Sequence, residues 1–377
     1  MDIMVAVGSG AETATKIELR EMGIDAPCIN GRFVFEGSGL EVAKCNLLLR
    51  TADRVYIRLK IFTAVTFDEL FDNTINYPWE DIVSRRGAII VNAKSVKSKL
   101  FALSSIQSIA KKAIVERLKK KYTHLPEDGA PHKIEISIYS DEVTIALDTS
   151  GDGLHKRGYR DLVYEAPIKE TLAAAIIKLS VWTPERALID PFAGSGTIPI
   201  EAAMAAKNIA PGINRSFLFE GYDFIDKSHL ASERNLAKER IERDKPVRIA
   251  GYDINKRAIG LAVRHAKNAG LERDIHFETT NMQGVSSRYK YGVVITNPPY
   301  GERLMEEAEL KELYKAFGAW YMSLDKWSLY AISGYPLFEK SFGVRADKTR
   351  RMYNANIECR LYQYIGARPP RQREDNQ

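Results

Sequence analysis

Apolar residues recur along this chain at two different spacings, and each spacing predicts one kind of element. Short, branched apolar runs bounded by polar residues are typical of strands, whereas apolar residues three or four positions apart predict one buried face of a helix. In residues 105–122, Ile106, Ile109, Ala113 and Leu118 are apolar, and lysines occupy many of the other positions. This stretch is therefore predicted to be an amphipathic helix with a basic outer face.

The N-terminal part of the chain predicts two successive small α+β layers. Elements of the first layer are strands at 4–7, 29–35 and 54–59 and helices at 12–22 and 39–49. Elements of the second are a strand at 88–93, the helix at 105–122 and paired strands at 133–140 and 142–148. Residues 1–62 and 63–155 are accordingly predicted to form two domains.

From residue 165 onward, strands and helices alternate, which predicts an α/β domain with parallel strands. Predicted strands lie at 186–189, 247–253, 275–281, 293–296 and 327–333, and two branched, aromatic runs around residues 354–356 predict a terminal hairpin. This third domain is predicted over 165–367, after a charged, glycine-rich linker at 156–164 and before a polar tail at 368–377.

A glycine-rich turn separates the predicted strand 186–189 from an alanine-rich helix. Gly194 and Gly196 have no Cβ atom and would let the backbone approach a ligand, and the Thr197 hydroxyl is expected to cap the helix. A phosphate-binding loop would need a lysine here, and a dinucleotide fingerprint would need a third glycine where Pro199 stands. S-adenosylmethionine (SAM) is the remaining ligand class, and a helix-entry turn with packing glycines is the structural alternative.

A second motif, Asn297-Pro298-Pro299-Tyr300, ends the branched strand 293–296. The two prolines stop the strand and remove two backbone donors, so carbonyls and the Asn297 amide are left to face a pocket. Two acceptors would hold a planar amine, and the Tyr300 ring could stack on the base that carries it. The alternative is a strand-terminating turn. We predict these four residues to be catalytic.

Residues at the ends of the next two strands complete the predicted cofactor site. Asp253 follows the strand 247–253 and could accept from the ribose hydroxyls, although it could also cap the following helix. Asn281 and Met282 follow the strand 275–281 and are expected near the adenine ring. The full predicted cofactor set is Asp190, Phe192, Ala193, Gly194, Ser195, Gly196, Thr197, Asp253, Ile254, Asn281, Met282 and Asn297.

Composition and charge indicate where the protein functions and which surface could bind nucleic acid. The 377 residues carry a net charge of +6, and only 3 cysteines are scattered along them, which predicts a cytoplasmic protein without a metal site or disulfides. The N-terminus has no secretory pattern and no apolar run reaches membrane-spanning length, so no membrane association is expected. Clustered basic residues predict contacts with nucleic-acid phosphates. The residues predicted for this role are Lys111, Lys112, Lys119, Lys120, His155, Lys156, Arg157, Arg160 and Arg303.

Four stretches together resemble a known family. They are residues 190–197 (DPFAGSGT), 297–304 (NPPYGERL), 208–212 (NIAPG) and 150–160 (SGDGLHKRGYR). With them the chain resembles the class I SAM-dependent amino-methyltransferases. Within that class it is similar to the THUMP-domain RNA guanine-N2 methyltransferases, above all the large-subunit ribosomal RNA branch.

The resemblance implies both a fold and an activity. The fold would be a Rossmann-like, seven-stranded α/β methyltransferase sheet preceded by a ferredoxin-like domain and a THUMP RNA-binding domain. The activity would be transfer of a methyl group from SAM to the N2 amine of a guanine in 23S ribosomal RNA. A tRNA guanine-N2 methyltransferase, an adenine-N6 nucleic-acid methyltransferase and a non-catalytic RNA-binding assembly factor stay open, as do monomeric and homodimeric states.

Overall fold

The computed structural model describes residues 1–162, 167–300 and 306–370. The chain divides into two compact units, and each unit draws on more than one segment. Unit 1 comprises Met1–Val7, Leu19–Leu154 and Gly212–Leu236, and unit 2 comprises Gly8–Glu18, His155–Pro211 and Ala237–Gln377. Within the described residues, no helix combines the length and the apolar character needed to cross a membrane.

Unit 1 is built on one seven-stranded sheet. Its strands in chain order are β1 (Asp2–Val7), β2 (Cys28–Ile29), β3 (Arg32–Glu36), β4 (Ala52–Thr63), β5 (Ala88–Val96), β6 (Pro131–Tyr139) and β7 (Glu142–Asp148). They lie in the order β2-β3-β1-β4-β7-β6-β5. Because β4 pairs antiparallel with β7, the segments predicted as two domains share a single sheet.

One predicted strand of this unit is a hairpin instead. The prediction of a continuous strand over 29–35 is wrong, because Asn30 and Gly31 form a turn between β2 and β3. Both residues have positive φ, 49° for Asn30 and 71° for Gly31, as a tight type I′ hairpin turn requires. The Asn-Gly pair was available in the sequence as a sign of this turn.

The segment 212–236 interrupts the α/β domain in sequence but folds as part of unit 1. Its aromatic residues explain this placement. Tyr222 is fully buried, its hydroxyl donates to the Asp148 carbonyl at 2.5 Å, and its ring stacks on His132 with centroids 4.8 Å apart. The insertion therefore supplies core side chains to the sheet of unit 1.

Unit 2 is built on a second seven-stranded sheet, and this confirms the predicted fold class. Its strands are β8 (Leu188–Asp190), β9 (Ile249–Asp253), β10 (Ile275–Thr279), β11 (Val293–Thr296), β12 (Ser328–Ser333), β13 (Lys348–Asn354) and β14 (Ile357–Tyr364). The order is β10-β9-β8-β11-β12-β14-β13, in which the first five are parallel and the hairpin β13–β14 is antiparallel. Parallel strands place their carboxyl ends along one edge, where ligands bind in α/β sheets.

The helices connect and cover these strands. In chain order they are α1 (Glu12–Glu21), α2 (Gly39–Leu48), α3 (Phe67–Ile75), α4 (Leu103–Lys119), α5 (Glu170–Leu179), α6 (Thr197–Ala206), α7 (Ser228–Glu239), α8 (Lys256–Asn268), α9 (Glu307–Met322) and α10 (Phe338–Phe342). The core of unit 2 is rich in aromatic residues, and Tyr314, Phe317 and Phe338 are fully buried between α9, α10 and the sheet.

Candidate functional site

The two sequence motifs leave the same edge of the unit 2 sheet. β8 and β11 are parallel neighbours, with Val293 paired to Leu188 and Val294 paired to Ile189. At their carboxyl ends the Thr296 hydroxyl donates to Asp190 Oδ1 at 2.6 Å. This bond ties the start of the glycine turn to the strand that carries Asn297.

Asp190 anchors the turn from inside the sheet. The side chain is buried, and Oδ1 also accepts from the Phe192 amide at 3.1 Å. Burial raises the pKa of the Asp190 carboxyl to about 7, although the bond from Thr296 acts in the opposite direction. Its position explains why the motif begins with a short acidic residue: the carboxyl satisfies local donors before the chain turns.

The glycines of the turn have different roles. Both have positive φ, 51° at Gly194 and 82° at Gly196. A Cβ atom on Gly196 would lie 2.9 Å from Ala262 and from Phe277, so this glycine lets α6 pack closely on α8 and β10. A Cβ atom on Gly194 would meet no described atom within 4 Å, so the backbone there faces open space.

Asp253 holds Gly194 from the end of β9. Its Oδ2 accepts from the Gly194 amide at 2.9 Å, and its Oδ1 accepts from the Asn255 amide at 2.8 Å. The alternative that Asp253 caps the following helix is wrong, because Asn255 caps α8 by accepting from the Arg257 and Ala258 amides. Asp253 therefore lies beside the turn, and its contact with ribose hydroxyls stays a prediction.

Thr197 and Ser195 are held by residues for which the sequence predicted other roles or none. The predicted cap by Thr197 is wrong: Gly196 is the N-cap residue and makes no side-chain bond, and Thr197 Oγ1 accepts from Arg160 at 2.6 Å. The Ser195 carbonyl lies 3.1 Å from His265 Nδ1. Because a carbonyl can only accept, Nδ1 carries the proton, and burial lowers the pKa of His265, which favours this neutral form.

Two arginines predicted to bind RNA are instead internal. Arg157 pairs with Glu201 of α6 at 3.3 Å, and both side chains are almost completely buried. Arg160 is mostly buried and pairs with Glu170 of α5 at 3.4 Å as well as with Thr197. For Arg157 an RNA-contacting role is wrong, because its charge is neutralised inside unit 2. The same bonds direct Arg160 towards α5 and α6, which contradicts its predicted role too.

Residues after β9 and β10 border the same edge. Ile254, directly after Asp253, has 72% of its surface exposed, an unusual value for an isoleucine within a fold. Asn281 is exposed and its Oδ1 accepts from the Gln283 amide at 3.0 Å. Met282 is buried in the core, and Phe192 packs edge-on against Phe317 at 5.2 Å. Met282 and Phe192 therefore pack in the core of unit 2, whereas Ile254 and Asn281 face solvent.

Asn297 presents an acceptor that the fold does not use. Its Oδ1 is buried and has no hydrogen-bond partner among the described residues, which end at Tyr300 on this side and resume at 306. A buried amide oxygen without a partner is costly, on the order of 1–3 kcal/mol, unless a ligand or water satisfies it. Ser195 Oγ, in the facing turn, is likewise buried without a partner within the described ranges.

Three further residues hold the Asn297–Tyr300 loop, and none of them was predicted from sequence to do so. The Tyr314 hydroxyl of α9 donates to the Pro299 carbonyl at 2.9 Å. Asn354, at the hairpin turn, donates to the Tyr300 hydroxyl at 2.9 Å, and burial raises the pKa of Tyr300. A Cβ atom on Gly334 would lie 3.0 Å from the Tyr300 ring, so any larger residue there would press on the ring. These contacts join residues that are far apart in sequence, so no local pattern in the sequence predicts them.

The remaining predicted RNA residues differ in how exposed they are. Lys111 pairs with Glu127 at 2.9 Å and Lys119 pairs with Glu116 at 3.1 Å. Lys112 is exposed above the Phe71 ring at 5.9 Å, and Lys120 and Lys156 are exposed. His155 is partly exposed, and Arg303 lies outside the described residues.

Family models match three consecutive parts of the chain. The one described as "RMKL-like, methyltransferase domain" matches residues 157–363 and so includes the whole site described above. The "RlmL ferredoxin-like domain" matches residues 2–56, and the "THUMP domain" matches residues 64–148.

Curated and solved relatives agree with these matches. The chain is 42% identical to the "Putative RNA methyltransferase YpsC" of Bacillus subtilis, over 97% of both chains. It is 33% identical to the "Ribosomal RNA large subunit methyltransferase K/L" of Psychromonas ingrahamii over 97% of this chain, but spans only 50% of that relative. The solved structure titled "Crystal structure of SMU.472, a putative methyltransferase complexed with SAH" (S-adenosylhomocysteine) matches 98% of this chain and 99% of its own chain at a TM-score of 0.92 and 41% identity.

Proposed function

Because the chain belongs to the RMKL-like methyltransferase family, we propose that it transfers a methyl group from SAM to the exocyclic N2 amine of a guanine in large-subunit ribosomal RNA. One observation carries the proposal: the buried Asn297 Oδ1 has no partner among the described residues and lies at the sheet edge shared with the glycine turn. An acceptor of this kind suits an amine that has two hydrogens to donate.

The residues of the turn fit the cofactor. Gly194 leaves open space over its backbone, Ser195 Oγ has no partner within the described ranges, and the exposed Ile254 offers an apolar surface. We assign the cofactor to these residues together with Asp253, whose carboxylate can accept from ribose hydroxyls as well as from Gly194. SAM supplies a methyl group that its sulfonium charge has already activated.

The chain's own task is to orient the amine. Asn297 accepts one amine hydrogen, the Pro298 carbonyl accepts the other, and the lone pair is left free. Tyr300 stacks on the base, and its ring is fixed by Asn354 and Gly334. Holding the amine in line with the methyl group lowers the barrier by orientation. The base must be unpaired or turned out of its helix to enter.

Two sets of relatives favour RNA as the substrate. The YpsC relative, which this chain matches end to end, is named for RNA methylation, and the K/L relatives are named for ribosomal RNA. The chain spans about half the length of the K/L relatives. Exposed Lys112, Lys120 and Lys156 are proposed to contact RNA phosphates.

Replacement of Asn297 by alanine tests the proposal. We expect Asn297→Ala to lower methyl transfer at least a thousandfold, on the order of 4 kcal/mol, while SAM affinity stays close to that of the wild type. Transfer is measured with radiolabelled SAM on ribosomal RNA from a strain lacking the enzyme, and affinity by calorimetry. Tyr300→Phe is the matched control, because it keeps the stacking ring and loses only the hydroxyl, which bonds to Asn354 and Cys359.

Three results would contradict the proposal in different ways. A wild-type protein that does not bind SAM at millimolar concentration has no methyltransferase activity of this kind. An Asn297→Ala variant that transfers at the wild-type rate places the chemistry elsewhere. A product identified by mass spectrometry as N6-methyladenine would replace guanine by adenine as the target.

A further inference from the structure

The hairpin β13–β14 places two arginines directly opposite each other. Arg351 and Arg360 are register partners in this antiparallel pair, so their side chains leave the same face with Cα atoms roughly 5 Å apart. Like charges in directly opposed positions destabilise a strand pair. The hairpin therefore keeps a repulsive contact that a neutral pair would avoid.

Neighbouring residues neutralise these charges only weakly. Glu358 lies 4.0 Å from Arg351, both side chains are more than half exposed, and the same carboxylate also accepts from the Tyr353 hydroxyl at 3.0 Å. Exposed pairs at such distances contribute little. Among the described residues, no carboxylate lies within ion-pair distance of the exposed Arg360. Arg350, by contrast, is structural, because it donates to the Gly10 carbonyl and to Thr13.

The arginine pair lies next to the base-stacking tyrosine. Arg360 is the register partner of Ser333, the last residue of β12. The following residue, Gly334, is the one on which a Cβ atom would lie 3.0 Å from the Tyr300 ring and 3.3 Å from Ile357. Ile357 starts β14 and is 54% exposed. The hairpin turn that binds Tyr300 and the arginine pair thus occupy the same edge of the sheet.

We propose that Arg351 and Arg360 bind a backbone phosphate of the RNA strand whose base enters beside Tyr300. The inference rests on the proposed function and adds a phosphodiester site to the base site. Two guanidinium groups on one face can each donate to phosphate oxygens, and a bound anion removes their mutual repulsion. A pair that is repulsive in the free protein becomes favourable in the complex.

The experiment compares charge removal at two edges of one sheet. Full-length wild type, Arg351→Gln/Arg360→Gln and Arg273→Gln are titrated with a fluorescent single-stranded RNA at several salt concentrations, with SAH present. Arg273 is an exposed arginine just before β10, at the opposite edge of the sheet, and serves as the matched control. We expect the slope of log affinity against log salt to fall by about 0.7 for each phosphate that the double variant no longer binds, and no change for Arg273→Gln.

Unfolding temperature and SAH affinity show whether a change in RNA binding comes from a lost phosphate contact or from a damaged fold. The double variant should unfold at the wild-type temperature or slightly above it, since it loses a repulsive pair, and should bind SAH as the wild type does. Equal salt slopes in all three proteins, with RNA and SAH binding intact, overturn the phosphate site and leave the proposed function standing. A clear drop in unfolding temperature shows that the arginines support the hairpin and also overturns it. A wild type that binds no RNA overturns both proposals.

Discussion

Asp190 is a buried acid whose titration should be visible in the stability of the protein. Its folded pKa is raised to about 7 by burial, whereas an aspartate in an unfolded chain titrates near ~4. Between these values the folded protein keeps a proton that the unfolded chain releases. Stability from this group is therefore fully present below about pH 4 and is lost as pH rises through about 7.

Asp190→Asn should remove this dependence, because an amide does not ionise. Urea unfolding of wild type should show a fall in free energy of unfolding between pH 5 and pH 8 that exceeds the fall in the variant, by on the order of 3 kcal/mol. Asp25→Asn is a suitable control, since Asp25 is exposed and pairs with Arg20 on the surface. Parallel pH profiles for wild type and Asp190→Asn would mean that the carboxyl is ionised in the folded protein.

The turn before α6 contains two glycines that look alike in the sequence and differ in the structure. Gly196→Ala should destabilise unit 2 by about 1–3 kcal/mol, from positive φ, and its Cβ atom would also collide with Ala262 and Phe277. Gly194→Ala should cost less stability, because its Cβ atom meets no described atom within 4 Å. It should nevertheless weaken SAH binding at least tenfold, since the methyl group occupies the space assigned to the cofactor.

Thermal unfolding and calorimetry with SAH distinguish these two glycines. The expected pattern is a stability defect in Gly196→Ala and an affinity defect in Gly194→Ala. Wild-type SAH affinity in Gly194→Ala would show that no ligand approaches the backbone of this turn.

Elements with a strong local pattern were predicted well from sequence, and their supporting contacts were not. The strands β7 and β11 begin and end where their patterns predicted, and the terminal hairpin turns at Ala355, whose φ is 54°. In contrast, Arg157 and Arg160 were predicted to be surface charges, because nothing in their immediate sequence shows that Glu201 and Glu170 pair with them. Burial of a charge depends on partners that are distant in sequence, so a basic motif alone cannot distinguish RNA contact from internal support.

The same limit applies at the site. The alternating pattern predicted parallel strands, and the carboxyl ends of these strands place Gly194, Asp253 and Asn297 at one edge of the sheet. The residues that bond to these groups could not be predicted from the sequence. His265 bonds to the Ser195 carbonyl and Asn354 bonds to Tyr300, and neither belongs to a recognisable motif.

At the scale of the whole molecule, the two compact units draw on segments from more than one of the predicted domains. β4 and β7 join the two predicted N-terminal domains into one sheet. The segment 212–236 lies within the methyltransferase part of the sequence but folds as part of unit 1. The sequence of this insertion is rich in aromatic residues, but only the fold shows that Phe219 and Tyr222 are buried within unit 1. A charged and aromatic insertion looks the same in sequence whether it covers a site or fills a core.

Tyr222 tests whether this returning segment supports unit 1. Tyr222→Ala should lower the free energy of unfolding of unit 1 by about 3–5 kcal/mol, because it leaves a cavity and removes the bond to the Asp148 carbonyl. Tyr222→Phe keeps the stacked ring and should cost only about 1 kcal/mol. Hydrogen exchange of peptides from β6 and β7 measures the stability of unit 1 in the full-length chain, and calorimetry with SAH reports on unit 2. Unchanged exchange in Tyr222→Ala would show that the insertion does not stabilise this sheet, and a loss of SAH affinity would show that its effect extends to the cofactor site.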